Sequence, residues 1–204
     1  MIRVIFLWHM HQPFYKDLVT GQYRLPWVRM HGLKDYYGMV KVLDEFPRIH
    51  QTFNMVPSLV AQLQDYANGG ASDPFLNLAA KPADELSEDE QRFALEYLFH
   101  ANQIHMIGRY ARYNELFRLA GSGKLDGTQA AKAYKKQDFT DLQVLSQLAW
   151  FDEIYLQGDS HVRRLVKKER GYTEEDKSIL RKKGIEIFKQ IGRASCRERV
   201  YVLV

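Results

Sequence analysis

The chain has 204 residues, with 46% hydrophobic and 26% charged residues, which is enough for one sizeable domain and excludes a disordered protein. Its formal net charge is +4, and half of that charge lies in the last dozen residues, where three arginines stand against Glu198. The rest of the chain is nearly neutral, so its charge does not indicate a nucleic-acid partner.

The sequence also bears on the cellular compartment. The single cysteine, Cys196, excludes an internal disulfide and fits a reducing compartment. No run reaches the roughly 18 consecutive apolar residues that a membrane helix needs. The apolar run after Arg3 is short, contains histidines and lacks a small-residue cleavage site. We therefore expect a cytoplasmic protein without a membrane partner.

The first predicted element is a buried strand in residues 4–13, which ends at Pro13. Because successive side chains alternate between faces, Ile5 and Leu7 share one face with His9 and His11. In a parallel β/α barrel the apolar pair would pack inside, and the histidines would lie at the carboxyl-end rim where barrel enzymes build their sites. A neutral imidazole offers one donor and one acceptor, which suits sugar hydroxyls, although the same pair also suits zinc.

A helix is predicted over residues 27–45, with Pro26 at its first position. Trp27, His31 and Asp35 follow at intervals of four and therefore lie on one helix face. We expect Trp27 and His31 to border a site above the first strand. Whether Trp27 stacks on a substrate or packs at the start of the helix stays open.

A second strand is predicted over residues 49–56, followed by a helix over residues 59–66. The alternation of strand and helix indicates an α/β fold with a parallel sheet. Asn54 would then lie on the same rim as His9 and His11. Its amide either bonds a substrate hydroxyl or serves a local backbone hydrogen bond.

The chain from Gly70 onward is predicted to be mostly helical. Ser87 with Glu90 forms a capping box, and Thr173 with Asp176 caps a last helix that ends near residue 191. Further helices are expected at residues 109–120, 128–134, 140–156 and 161–170. No residues here have catalytic spacing, since His100 and His105 lack the i, i+4 register of a helical metal pair.

Four segments of the chain resemble glycoside hydrolase family 57. The opening motif His9-Met10-His11-Gln12-Pro13 resembles its first signature region, and residues 26–37, 53–59 and 141–158 are also similar. The resemblance implies an incomplete (β/α)7 barrel that acts on α-glucans by a retaining mechanism without metal or other cofactor. It also implies that His9 and His11 lie against the sugar, with Gln12 and Trp27 beside the glucan.

The chain departs from that family in its acidic residues. The resemblance implies a glutamate nucleophile and an aspartate acid/base on later strands, in regions that this sequence does not contain. A retaining enzyme needs two carboxylates roughly 5 to 5.5 Å apart, so we assign no catalytic residue within this chain.

The predicted domain organisation follows from this departure. We expect residues 1–191 to be the amino-terminal part of a truncated catalytic barrel, with a large helical insertion at 70–172. Residues 192–204 are predicted to be a foreign or disordered tail. Its apolar end, residues 200–204, would pair on an open sheet edge or promote aggregation.

The predicted function is that of an α-glucan hydrolase or transglycosidase of the amylase or 4-α-glucanotransferase type, represented by its substrate-contacting part. A maltooligosaccharide or longer α-glucan is the expected partner. The predicted substrate-binding residues are His9, His11, Gln12, Trp27, His31 and Asn54. Two alternatives remain, a zinc-dependent deacetylase-like hydrolase with His9 and His11 as ligands and a non-catalytic helical interaction module. The particular glucan, its acceptor and the oligomeric state stay open.

Overall fold

The computed structural model describes residues 4–123, 127–194 and 200–203, and the chain divides into two units. The first unit comprises Met1–Pro74 and Lys183–Val204, and the second comprises Phe75–Lys182. Of the predicted tail at 192–204, residues 195–199, which include Cys196, and residue 204 lie outside the described residues, and the foreign origin of the tail stays a prediction.

A small parallel sheet belongs to the first unit. Its strands are β1 (Leu7–Met10), β2 (Gln51–Met55) and β3 (Val200–Leu203), in the order β1-β2-β3. β2 pairs in parallel with both neighbours, and His9 of β1 lies opposite Asn54 of β2. A helix-rich chain with a parallel sheet is compatible with the predicted α/β class.

The prediction that β1 is a buried strand was wrong. Leu7 is 59% exposed and Ile5 is 84% exposed, and Met10 is the buried residue of the strand. Pairing with β2 protects only a backbone edge of β1, whereas its side chains point to the two faces of the sheet, and the described residues leave the side chain of Leu7 largely uncovered.

A continuous helical run occupies residues 27–45, as predicted, but its geometry changes along its length. It comprises α1 (Trp27–His31), a π-helical turn (Gly32–Tyr36), α2 (Tyr37–Lys41) and a 3₁₀ turn (Val42–Glu45). Pro26 lies just before α1 rather than at its first position, and its carbonyl accepts the Met30 N–H at 2.9 Å. Gly32 is required in the π turn because a Cβ there would collide with the Phe188 ring.

The core of the first unit contains a buried ion pair. The Nε and Nη2 atoms of Arg29 donate to the two Asp73 carboxylate oxygens at 2.7 and 3.2 Å. The Tyr66 hydroxyl, on α3 (Pro57–Ala67), donates to the same carboxylate at 3.0 Å. Burial raises the pKa of Tyr66, so its hydroxyl keeps the proton that it donates. The ion pair thus ties α1 to the segment that follows α3.

The second unit is helical throughout its regular structure. It contains most of α4 (Pro74–Ala80), the first part of α11 (Glu174–Ala194), and α5 (Glu88–Tyr97), α6 (Ala111–Leu119), α7 (Gly127–Ala131), α8 (Lys136–Leu148), α9 (Glu153–Gly158) and α10 (Ser160–Lys168). The predicted Ser87 capping box is confirmed, since Ser87 Oγ accepts from Glu90 N–H at 3.3 Å and Glu90 Oε2 accepts from Ser87 N–H at 2.8 Å. The single helix predicted over residues 140–156 was wrong. It is broken before Asp152, whose side chain accepts the Ile154 N–H and starts α9.

The start of α11 is fixed by a buried carboxylate. Asp176 accepts hydrogen bonds from Thr173 N–H at 3.0 Å and from Lys168 Nζ at 2.5 Å. Burial raises the pKa of Asp176, but these hydrogen bonds and the lysine charge lower it by more, so the pKa of Asp176 lies below its usual value. Among the described residues, no helix combines the length and apolar character needed to cross a membrane.

Candidate functional site

The two histidines of the opening motif lie on the same side of β1. Their ring centroids are 5.8 Å apart and the ring planes differ by 13°, so the rings are stacked. Both side chains are exposed. The predicted common face of His9 and His11 is therefore confirmed, because the strand alternation persists through residue 11.

Asn54 orients the first of these rings. Asn54 Oδ1 lies 2.5 Å from His9 Nδ1, across the register that pairs the two residues in β1 and β2. An amide oxygen only accepts, so His9 carries its proton on Nδ1 and its Nε2 atom is the acceptor. The oxygen of Asn54 thus contacts the imidazole of His9, and a bond from the Asn54 amide to a substrate hydroxyl stays a prediction.

Gln12 lies between two tyrosines. Its Oε1 atom accepts from the Tyr15 hydroxyl at 3.1 Å, and its side chain also lies near the Tyr36 hydroxyl. Burial raises the pKa of Tyr36 and outweighs the lowering by the Gln12 side chain, so Tyr36 stays neutral and retains its donor. The Gln12 amide is therefore held by Tyr15 and faces Tyr36.

The helix face predicted for Trp27, His31 and Asp35 is confirmed. The Trp27 and His31 ring centroids are 6.3 Å apart, and His31 Nδ1 lies 2.8 Å from Asp35 Oδ2. The His31 ring also faces Tyr36, with centroids 6.4 Å apart and planes 30° apart. The site residues thus form two groups. His9, His11 and Asn54 make one group, and Trp27 and His31 make the other. Gln12 lies between the two groups, because it follows His11 in the chain and lies near Tyr36.

Comparison with known families identifies this arrangement. The model of glycosyl hydrolase family 57 matches residues 5–191, which include all six predicted site residues. The chain belongs to glycosyl hydrolase family 57. Comparison with curated proteins and with solved structures gives no significant match. Family 57 membership places the chain among enzymes that act on glycosidic bonds.

A residue that the sequence analysis missed holds the opening motif of this family 57 protein in place. The fully buried Gln62 of α3 accepts from Tyr15 N–H at 2.9 Å and donates to the Pro13 carbonyl at 3.0 Å. Its second amide hydrogen goes to the Ser58 carbonyl at 2.9 Å. Every hydrogen-bonding group of the Gln62 amide is thus used, and the loop after β1 is fixed to α3. The available signal was an amide on the apolar stripe of a helix, between Leu59 and Leu63.

The structure also bears on whether this family 57 chain could hold a metal ion. Within residues 4–123, 127–194 and 200–203, no group of three or more His, Cys, Asp or Glu side chains is placed to hold a metal ion. Catalytic zinc sites use three protein ligands. The zinc alternative stays a prediction.

Proposed function

We propose that this family 57 protein binds an α-glucan at the exposed face of His9 and His11, as part of a retaining hydrolase or glucanotransferase. The stacked pair of imidazoles at the end of β1 carries this proposal. The two rings project on one side and remain exposed, as a sugar-binding pair requires.

The hydrogen bond between His9 and Asn54 supports the choice of a hydroxylated ligand. With the proton fixed on Nδ1, the Nε2 atom of His9 accepts and therefore pairs with a sugar hydroxyl acting as donor. Sugar hydroxyls both donate and accept, so a neighbouring His11 in either tautomer finds a partner on the same ring. The preset tautomer reduces the ordering cost of binding.

Trp27, His31 and Gln12 extend the proposed site. Aromatic rings offer apolar faces to the carbon face of a sugar, and Trp27 and His31 lie on one side of α1. The Gln12 side chain accepts a hydrogen bond from the Tyr15 hydroxyl, which orients its amide. A glucan chain, which presents several rings in succession, suits a site of two connected groups better than a single monosaccharide does.

The catalytic step itself is assigned outside this chain. Following the family resemblance, we propose that β1, β2 and the helices between them begin an incomplete (β/α)7 barrel whose later strands carry the two carboxylates. The chain by itself then binds α-glucan without hydrolysing it. In an enzyme that contains this segment and the carboxylates, His11→Ala should lower turnover on maltooligosaccharides at least about tenfold, because the transition state loses its contact with His11. A tenfold loss corresponds to about 1.4 kcal/mol of transition-state binding.

A calorimetric titration of the full chain with maltohexaose tests the proposal. Binding should be measurable, and His11→Ala should weaken it about tenfold, because a lost hydrogen bond in a binding site costs about 1 kcal/mol or more. His161→Ala, an exposed histidine of α10, is the matched control and should bind like the wild type. Cellohexaose, whose linkages are β, should bind more weakly. Equal affinity of the wild type and His11→Ala would remove the histidine pair from the site.

A further inference from the structure

Asp35 is the carboxylate that a hydrogen bond joins directly to one of the proposed glucan-binding residues. Its Oδ2 atom lies 2.8 Å from His31 Nδ1, one helical turn away, and its Oδ1 atom accepts from Lys34 Nζ at 3.1 Å. Both oxygens therefore have a partner, and the two side chains of the pair are each about one-third exposed.

The chemistry of this contact determines where the imidazole proton lies. Burial raises the pKa of Asp35, but the hydrogen bonds from His31 and Lys34 lower that pKa by more, so the carboxylate stays ionised. An ionised carboxylate accepts hydrogen bonds and donates none. His31 Nδ1 must consequently carry a proton, and in the neutral ring Nε2 is then the accepting nitrogen.

The orientation of the ring is set by its neighbours as well as by this bond. The Trp27 ring lies at 37° to it on one side, and Tyr36 lies at 30° with a centroid distance of 6.4 Å. The His31 ring thus contacts two aromatic side chains and is hydrogen-bonded at Nδ1. This resembles His9, whose Nδ1 is tied to Asn54 in the same way.

We propose that Asp35 is a positioning residue, which holds His31 in the Nδ1–H tautomer so that its Nε2 atom accepts a hydrogen bond from a glucan hydroxyl. The tautomer follows from the geometry alone, and the glucan contact rests on the proposed function. His9 and His31 then present the same acceptor atom to the sugar from the two groups of the site.

The tautomer is measured without any ligand. Long-range ¹H–¹⁵N spectra of the full chain with labelled histidine, recorded at about pH 8 where an ordinary imidazole is neutral, distinguish the protonated ring nitrogen from the bare one. We expect the His31 proton on Nδ1 in the wild type and predominantly on Nε2 in Asp35→Ala. Asp35→Asn keeps an acceptor oxygen and should restore the Nδ1–H form. Asp44→Ala, which removes the aspartate paired with Lys41 farther along the same helical run, is the control and should leave His31 unchanged.

Affinity for maltohexaose provides the second readout. Asp35→Ala should weaken binding about threefold to tenfold, and the double variant Asp35→Ala/His31→Ala should bind no more weakly than His31→Ala, because the two residues act as one unit. Additive losses, or a wild-type His31 with its proton on Nε2, would overturn the inference. If the wild type binds no maltohexaose, the proposed function and the glucan contact fail together. The spectra then still decide whether Asp35 sets the tautomer.

Discussion

Replacing Gln62 by methionine should loosen the loop that carries the opening motif. The substitution keeps the length of the side chain but removes three hydrogen bonds, from Tyr15 N–H and to the carbonyls of Pro13 and Ser58. The Ser58 carbonyl keeps its bond within α3, whereas the other two groups lose their partner. A buried unsatisfied group costs about 1–3 kcal/mol, and Tyr15 is half-buried while Pro13 is exposed, so the first unit should lose about 2–3 kcal/mol.

Native-state hydrogen exchange of the Tyr15 amide measures this loss at the group concerned. Because 1.4 kcal/mol corresponds to a factor of ten, protection of that amide should fall at least about tenfold in Gln62→Met. Gln64→Met is the matched control, since Gln64 is an exposed glutamine of the same helix and its replacement should change stability by less than about 0.5 kcal/mol. Equal Tyr15 protection in the two variants would refute the view that Gln62 fixes the loop.

Two further predictions concern buried carboxylates. Asp73→Ala leaves the Arg29 guanidinium buried without its carboxylate partner, so urea unfolding should show a loss of about 3–5 kcal/mol, and a loss below about 1 kcal/mol would contradict the assigned ion pair. Because the pKa of Asp176 is lowered in the fold, its stabilisation is complete above the ordinary carboxyl pKa of about 4 and is lost as the pH falls through the lowered value. Asp176→Asn should therefore be less stable at neutral pH and should lose stability less steeply below about pH 4, and parallel stability–pH curves would argue against this assignment.

Local signals in the sequence predicted the helical elements well. The capping box at Ser87 depends on two residues three positions apart, and it is present in the structure as the spacing indicates. The helical run over residues 27–45 also follows from periodicity and from the prolines near its ends. Its π turn does not, and neither does the close approach of the Phe188 ring to Gly32, which joins residues far apart in the sequence. The break before Asp152 was missed because the apolar pattern continues through it.

The candidate site was predictable in its residue types but not in its internal contacts. Alternation along β1 was sufficient to place His9 and His11 on one face. The bond between His9 and Asn54 depends on the register of two strands, which a single sequence does not specify. Gln62 hydrogen-bonds a loop that lies almost fifty positions earlier in the chain, and no local sequence pattern predicts such a contact. The burial of β1 was overestimated because hydrophobicity alone does not indicate whether other elements cover the faces of a strand.

Histidine-selective NMR during titration with maltohexaose tests the central claim most directly. The chain contains seven histidines, so the ring signals of His9 and His11 have internal controls in His100, His105 and His161 of the second unit. We expect the His9 and His11 signals to shift together in a saturable manner while those three remain unchanged. Shifts confined to the second unit, or no shift at saturating sugar, would contradict a glucan site at the end of β1.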